Sequence, residues 1–249
     1  MNKTIVFSEG MTVRERFDEY SKHVVRGGYV TTPEMKSGID KLFDTFENTR
    51  QGLVVYGNTG TGKTIFFEIL RRVVRPKSPL HFKQRTTIEI VQEYNVNGHE
   101  SLIKLNANDI FFDDLGAENK GVYFGDRVEV MESLIQERYS KRHAVRSFFT
   151  TNLTPSEIEQ RYGSRCWKRL KETCEHVLLD DGDKRELKSF IGFPAVEFPP
   201  TPEEKQWAEQ YEQHRAEARL KEYPKRLTLG EQLKNQFKES FGEFETKKK

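Results

Sequence analysis

The chain is poor in cysteine, in long apolar runs and in net charge. Two cysteines in 249 residues, Cys166 and Cys174, are too few for a disulfide scaffold, and their spacing fits no zinc pattern. They suit a reducing compartment, and the expected location is the cytoplasm. No apolar stretch approaches membrane-spanning length, and MNKTIVFSEG lacks the apolar centre of a signal peptide. A membrane protein is therefore not expected, and the Asn-x-Thr match at Asn152 is set aside as a glycosylation site. Formal net charge is only +2, so any nucleic-acid contact must come from local patches. Hydrophobic residues make up 35% and charged residues 32%, the balance of a polar chain still long enough to bury a core.

Against those absences the patterning is regular. Residues 11–47 carry apolar positions at helical spacing: Phe17, Tyr20 and Val24, then Ile39, Leu42, Phe43 and Phe46 after Thr32-Pro33. Strands are expected at residues 53–56, 81–85, 110–113, 147–151 and 176–179. Helices are expected at 65–74, 87–94, 129–142, 155–162 and 166–174. Apolar strands alternating with helices imply a parallel sheet covered on both faces. Three prolines within residues 199–202 make a stiff break. The expected organisation is a helical segment over 1–50, an α/β domain over 51–197 and a charged helical tail over 198–249.

Residues 57–64 read GNTGTGKT, so Gly57, Gly62, Lys63 and Thr64 satisfy the phosphate-loop pattern, with Asn58, Thr59, Gly60 and Thr61 between them. Glycines let backbone N–H groups approach phosphate oxygens, and the helix that follows turns its positive end toward them. Lys63 reaches the β- and γ-phosphates and Thr64 ligates Mg²⁺. The motif follows an apolar strand and opens a helical pattern, which is the context it requires.

Such a loop needs a second-strand carboxylate for the metal. DIFFDDLGAE, residues 109–118, delivers Asp113 at the carboxyl end of an apolar strand, where open α/β sheets bind ligands. Asp113 is assigned to Mg²⁺. Asp114 is the candidate for orienting the attacking water, with a simple turn before Gly116 as the competing explanation.

GNTGTGKT together with DDLGAE resembles the AAA+ ATPases of the DnaC/IstB family over roughly residues 35–187. The resemblance implies an AAA+ P-loop NTPase fold, ATP and Mg²⁺ as cofactors, and a homo-oligomer on DNA that serves as a replicative helicase loader or, alternatively, as an IstB/TnsC-like helper that recruits a transposase. It further implies a sensor role for Asn152, which also fits an Asx turn or cap before Pro155. It implies an arginine finger in RYGSRCWKRLKE, with Arg169 favoured and Arg165 alongside. A solvated basic face or a DNA contact remains an alternative for both. Arg185 is weakly similar to a family nucleotide sensor.

Arg71, Arg72, Arg75, Lys77, Lys83 and Arg85 fall in a window from Ile69 to Ile88 that contains no acid, and Arg138, Lys141, Arg142 and Arg146 form a second basic group. Either group could contact phosphate or simply face solvent. No base-reading motif is present, so sequence-tolerant, single-stranded DNA is the expected ligand. In the tail, Leu229, Leu233, Phe237, Phe241 and Phe244 form an amphipathic stripe, with Trp207 and Tyr211 making a shorter one. Either a reduced lid or a docking helix fits it. Loaders of the family often carry a helicase-binding module at the N-terminus, and the residues before the phosphate loop hold no cysteine cluster to make a zinc module.

Overall fold

The computed structural model describes residues 4–26, 29, 33–179, 191–206, 209–210 and 213. In chain order the elements are β1 (Ile5–Val6), α1 (Val13–Val24), α2 (Pro33–Asn48), β2 (Gly52–Tyr56), α3 (Lys63–Val73), β3 (Lys83–Thr86), α4 (Thr87–Asn97), α5 (Glu100–Lys104), β4 (Ile110–Leu115), β5 (Gly121–Tyr123), β6 (Asp126–Val128), α6 (Val130–Ser140), β7 (Ser147–Thr151), α7 (Pro155–Thr173), β8 (Cys174–Leu178) and β9 (Val196–Glu197).

Helix starts follow local chemistry. Thr12, Thr86 and Thr154 each accept from the backbone three residues on, and Glu15, Glu89 and Glu157 reciprocate, closing capping boxes on α1, α4 and α7. Gly163, at φ 86° and ψ 156°, kinks α7, which explains why the pattern reads as two helices in sequence.

Five parallel strands pair in the order β3-β4-β7-β2-β8. Strand β2 is buried throughout, and its side chains alternate between faces. Leu53 and Val55 join α1, α2 and α3 in one core, where Phe67 stacks on Phe111 at 4.2 Å. Val54 and Tyr56 join α4, α6 and α7 in the other, where Phe112 stacks on Phe149 at 5.0 Å. The N-terminal helices thus share the core of the sheet.

The chain divides into two compact units, Met1–Phe198 and Pro199–Lys249. Within the second, residues 202–206 are helical and Thr201 closes a capping box with Glu204. Arg185 and the tail stripe lie outside the described residues.

One expectation is corrected. Half of the second basic group does not face solvent: Arg138 and Arg146 are each only 3% exposed, whereas Lys141 and Arg142 are exposed. Arg138 donates to Ser147 Oγ, to the carbonyls of Asn108 and Arg146, and to that of Leu105, fastening α6 to β7. Burial lowers its guanidinium to about 10, still far above neutrality. Arg146 pairs with Asp109 at 2.7 Å and donates to the Phe46 carbonyl. These two arginines satisfy buried carbonyls.

Candidate nucleotide site

The loop 57–62 joins the end of β2 to the first turn of α3. Only glycine fits at two of its positions. A Cβ on Gly57 would lie 2.0 Å from the Leu179 carbonyl oxygen. Gly62, at φ 94°, caps α3 in a left-handed conformation beneath the Tyr29 ring, whose hydroxyl donates to the Gly62 carbonyl at 2.8 Å. Thr61 is buried and ties its hydroxyl back to the Asn58 carbonyl.

Lys63 is buried at the mouth of this loop and donates to the carbonyls of Gly57 at 2.6 Å and Asn58 at 2.9 Å. It also donates to Asn152 Oδ1 at 2.9 Å, and Asn152 Nδ2 donates to Asp114 Oδ1 at 3.0 Å. A second chain runs beside the first. Thr64 Oγ donates to Asp113 Oδ1 at 2.9 Å, and Thr150 Oγ donates to the same oxygen at 2.6 Å. Six polar side chains, from β4, from α3 and from the end of β7 and the residue after it, therefore meet at the carboxyl ends of the strands. With Thr59, Gly60, Gly62 and Ile65 they line a cavity of about 320 Å³.

The two acids differ. Asp113 is buried and carries two hydroxyl donors. Asp114 is half-buried, and burial first, then the neighbouring Asp113 charge, raise its carboxyl above the usual range, with Lys63 opposing. Thr64 Oγ and Asp113 Oδ1 supply hard oxygen donors side by side, a pair suited to Mg²⁺. No cluster of three or more His, Cys, Asp or Glu forms among the described residues, and phosphate and water would complete the shell of a metal held by Thr64 and Asp113.

Around this centre the remaining candidates fall unevenly. Arg165 is exposed, with no partner among the described residues. Arg169 is partly covered: it donates to the Gln136 carbonyl at 3.4 Å and lies 4.8 Å over the Tyr139 ring. In the basic window, Arg71 and Arg72 pair with Glu68, Arg85 pairs with Glu93, and Arg75 lies over Phe198. Lys77 and Lys83 remain exposed.

Two features escape the sequence reading. Glu118 is buried at 3% exposure. It accepts from the Gly116 N–H at 2.9 Å, from Arg161 at 3.3 Å and from the Tyr162 hydroxyl. Arg161 also donates to the Gly116 and Glu118 carbonyls, which locks the loop after Asp114 to α7. Glu118→Ala should destabilise the fold by about 3 kcal/mol, because it strands a guanidinium and a hydroxyl. In a domain of this size that lowers Tm by roughly 6–12 °C, measurable by thermal unfolding followed by circular dichroism; an unchanged Tm would mean the ion pair holds nothing. The second feature is the β5–β6 hairpin, which carries Phe124 at 92% exposure with φ 49°. Its sequence signal is the Phe124-Gly125 dipeptide between two short polar-apolar runs.

In the sheet, β7 stands between the phosphate-loop strand β2 and the carboxylate strand β4. That order, with helices on both faces, gives a P-loop NTPase fold. No family model matches the chain, and no curated protein matches it by sequence. Among solved structures it is similar to a candidate primosome component from Streptococcus pyogenes serotype M3, at 17% identity and a TM-score of 0.51, covering 73% of this chain and 95% of that one. A DnaC helicase loader matches at 14% identity and a TM-score of 0.48, covering 64% and 98%. AMPPCP-bound DnaA from Aquifex aeolicus matches at 11% and 0.45, covering 81% and 56%. At these identities the likeness is one of fold. Among the described residues no helix is long and apolar enough to cross a membrane.

Proposed function

We propose that the chain is an ATP-hydrolysing switch of the DnaC helicase-loader type that works as a homo-oligomer on DNA in the cytoplasm. The observation that carries this reading is the meeting of Lys63, Thr64, Asp113, Asp114 and Asn152 at one cavity over the start of α3.

ATP phosphates fit over the loop N–H groups and the positive end of α3. Lys63 turns from the Gly57 and Asn58 carbonyls to the β- and γ-phosphates, a short movement for a flexible stem. Thr64 and Asp113 would hold Mg²⁺, which when bound would offset negative charge on the phosphoryl oxygens. Asp114 orients the attacking water and accepts its proton, and burial raises its basicity for that task. Asn152, hydrogen-bonded to both Lys63 and Asp114, is placed to hold the γ-phosphate and the water in line.

Arg165, exposed and without a partner among the described residues, is the better candidate to reach the nucleotide of a neighbouring subunit, with Arg169 braced against α6 beside it. For DNA, Lys77 and Lys83 are the exposed cations of the basic window. Phe124, flanked in sequence by Lys120 and Arg127, offers an exposed ring on which a base of a single strand can stack. A transposase-recruiting helper would use the same nucleotide chemistry. Affinity capture with a hexameric helicase and with an integrase-type transposase separates the two readings.

Arg165→Ala should slow hydrolysis on the order of 100-fold at concentrations where the protein assembles, with ATP affinity retained. Mixing it with a Lys63→Ala chain should recover part of the activity, since each supplies what the other lacks. Wild-type turnover by the single variant would remove the trans role.

A further inference from the structure

Across the β4–β7 pair, Phe112 faces Phe149 and Leu115 faces Thr151, so Asp113 and Asp114 together oppose Thr150. Two residues opposite one make a β-bulge. Asp114 turns through it at φ 62°, a left-handed conformation that aspartate and asparagine tolerate better than longer side chains do.

That turn is held at both ends by buried hydroxyls. Thr150 Oγ accepts from the Asp114 N–H at 3.0 Å while donating to Asp113 Oδ1, so one hydroxyl serves both acids. Thr87 Oγ donates to the Asp114 carbonyl at 2.9 Å. Thr87 is fully buried, and Thr150 is 1% exposed. Thr87 is free for this contact because Thr86 already caps α4. With the backbone fixed this way, the Asp114 side chain meets Asn152 Nδ2.

We propose that Thr87 and Thr150 are positioning residues that clamp Asp114 in this left-handed bulge, and that the bulge restricts the second acid to aspartate. The inference rests on the proposed ATPase reading and adds to it the reason for an Asp-Asp pair. The Thr87 hydroxyl bonds the Asp114 backbone and neither carboxylate, so its effect falls on the hydrolytic step, whereas Thr150 also bears on Asp113 and hence on Mg²⁺-dependent binding.

The test is single-turnover ATP hydrolysis and equilibrium ATP·Mg²⁺ binding by wild type, Thr87→Val, Thr87→Ser and Asp114→Glu. Thr87→Val should lower the rate on the order of 10- to 100-fold with Kd changed by less than about threefold, and Thr87→Ser should restore it. In an Asp114→Asn background, Thr87→Val should have no further effect, which a general loss of packing would not reproduce. Asp114→Glu should be as slow as Asp114→Asn. With an active wild type, an unchanged rate in Thr87→Val, or wild-type hydrolysis by Asp114→Glu, overturns the clamp. An inactive wild type would instead overturn the ATPase reading beneath it.

Discussion

Lys63→Ala should abolish ATP binding and turnover. The side chain is a cation buried at the loop mouth, and it reaches both the loop carbonyls and Asn152. Charge-assisted contacts to two phosphates are worth roughly 3 kcal/mol or more, so Kd should rise at least about 100-fold. A further loss falls on the transition state, where positive charge matters most, and kcat/KM should drop on the order of 10⁴-fold. Circular dichroism of the variant checks that the loop still folds without these contacts. A variant that folds, binds and hydrolyses like wild type would mean that GNTGTGKT is only a glycine turn.

The second large effect is on Asp114. Asp114→Asn should cut hydrolysis roughly 10³-fold while ATP stays bound, because an amide cannot take a proton from water. Asparagine tolerates the left-handed backbone, so the bulge survives the change. The same substitution should stabilise the fold at neutral pH. The Asp114 carboxyl titrates above its ordinary value, chiefly through burial and then through Asp113. A group raised in the folded state contributes stability that is full below its unfolded pKa and is lost as pH rises through the folded one. At neutral pH the charged Asp114 is therefore a liability, and Asn should raise Tm. The gain should fade as pH falls into the carboxylate range. A Tm that falls at neutral pH, or hydrolysis at the wild-type rate, would return Asp114 to the status of a turn residue.

The phosphate loop was legible in sequence because its chemistry is local: glycines, a lysine and a threonine act within eight residues of one another. The strands were legible for a related reason. Parallel strands buried on both faces read as apolar runs, and IFFD and SFFTT have no other simple interpretation. Asn152 was found through a resemblance, yet the contact that gives it meaning, to Lys63 89 residues away, is purely tertiary.

Where pairing is distant, or lies just outside a chosen window, the sequence misled or stayed silent. On Glu118 the sequence was silent, because Arg161 and Tyr162 reach it only through the fold. The acid-free window from Ile69 to Ile88 looked strongly basic, but Glu68 precedes it and Glu89 and Glu93 follow it. Glu68 meets Arg71 and Arg72 at i+3 and i+4, spacing that sequence alone exposes once the window is widened. The burial of Arg138 and Arg146 had no such signal. Nothing in ERYSKRHAVR tells a solvated arginine from one that closes a set of buried carbonyls. The left-handed turn at Asp114 was equally invisible, since it arises from a register shift between two strands.

The most direct test of the central claim is an equilibrium titration of ATP against wild type and Lys63→Ala, each with Mg²⁺ and with a chelator. The account predicts that wild type binds ATP more tightly with Mg²⁺ than without it, and that Lys63→Ala loses at least about 100-fold in affinity. Failure of wild type to bind ATP under either condition, or equal binding by both proteins, would contradict it.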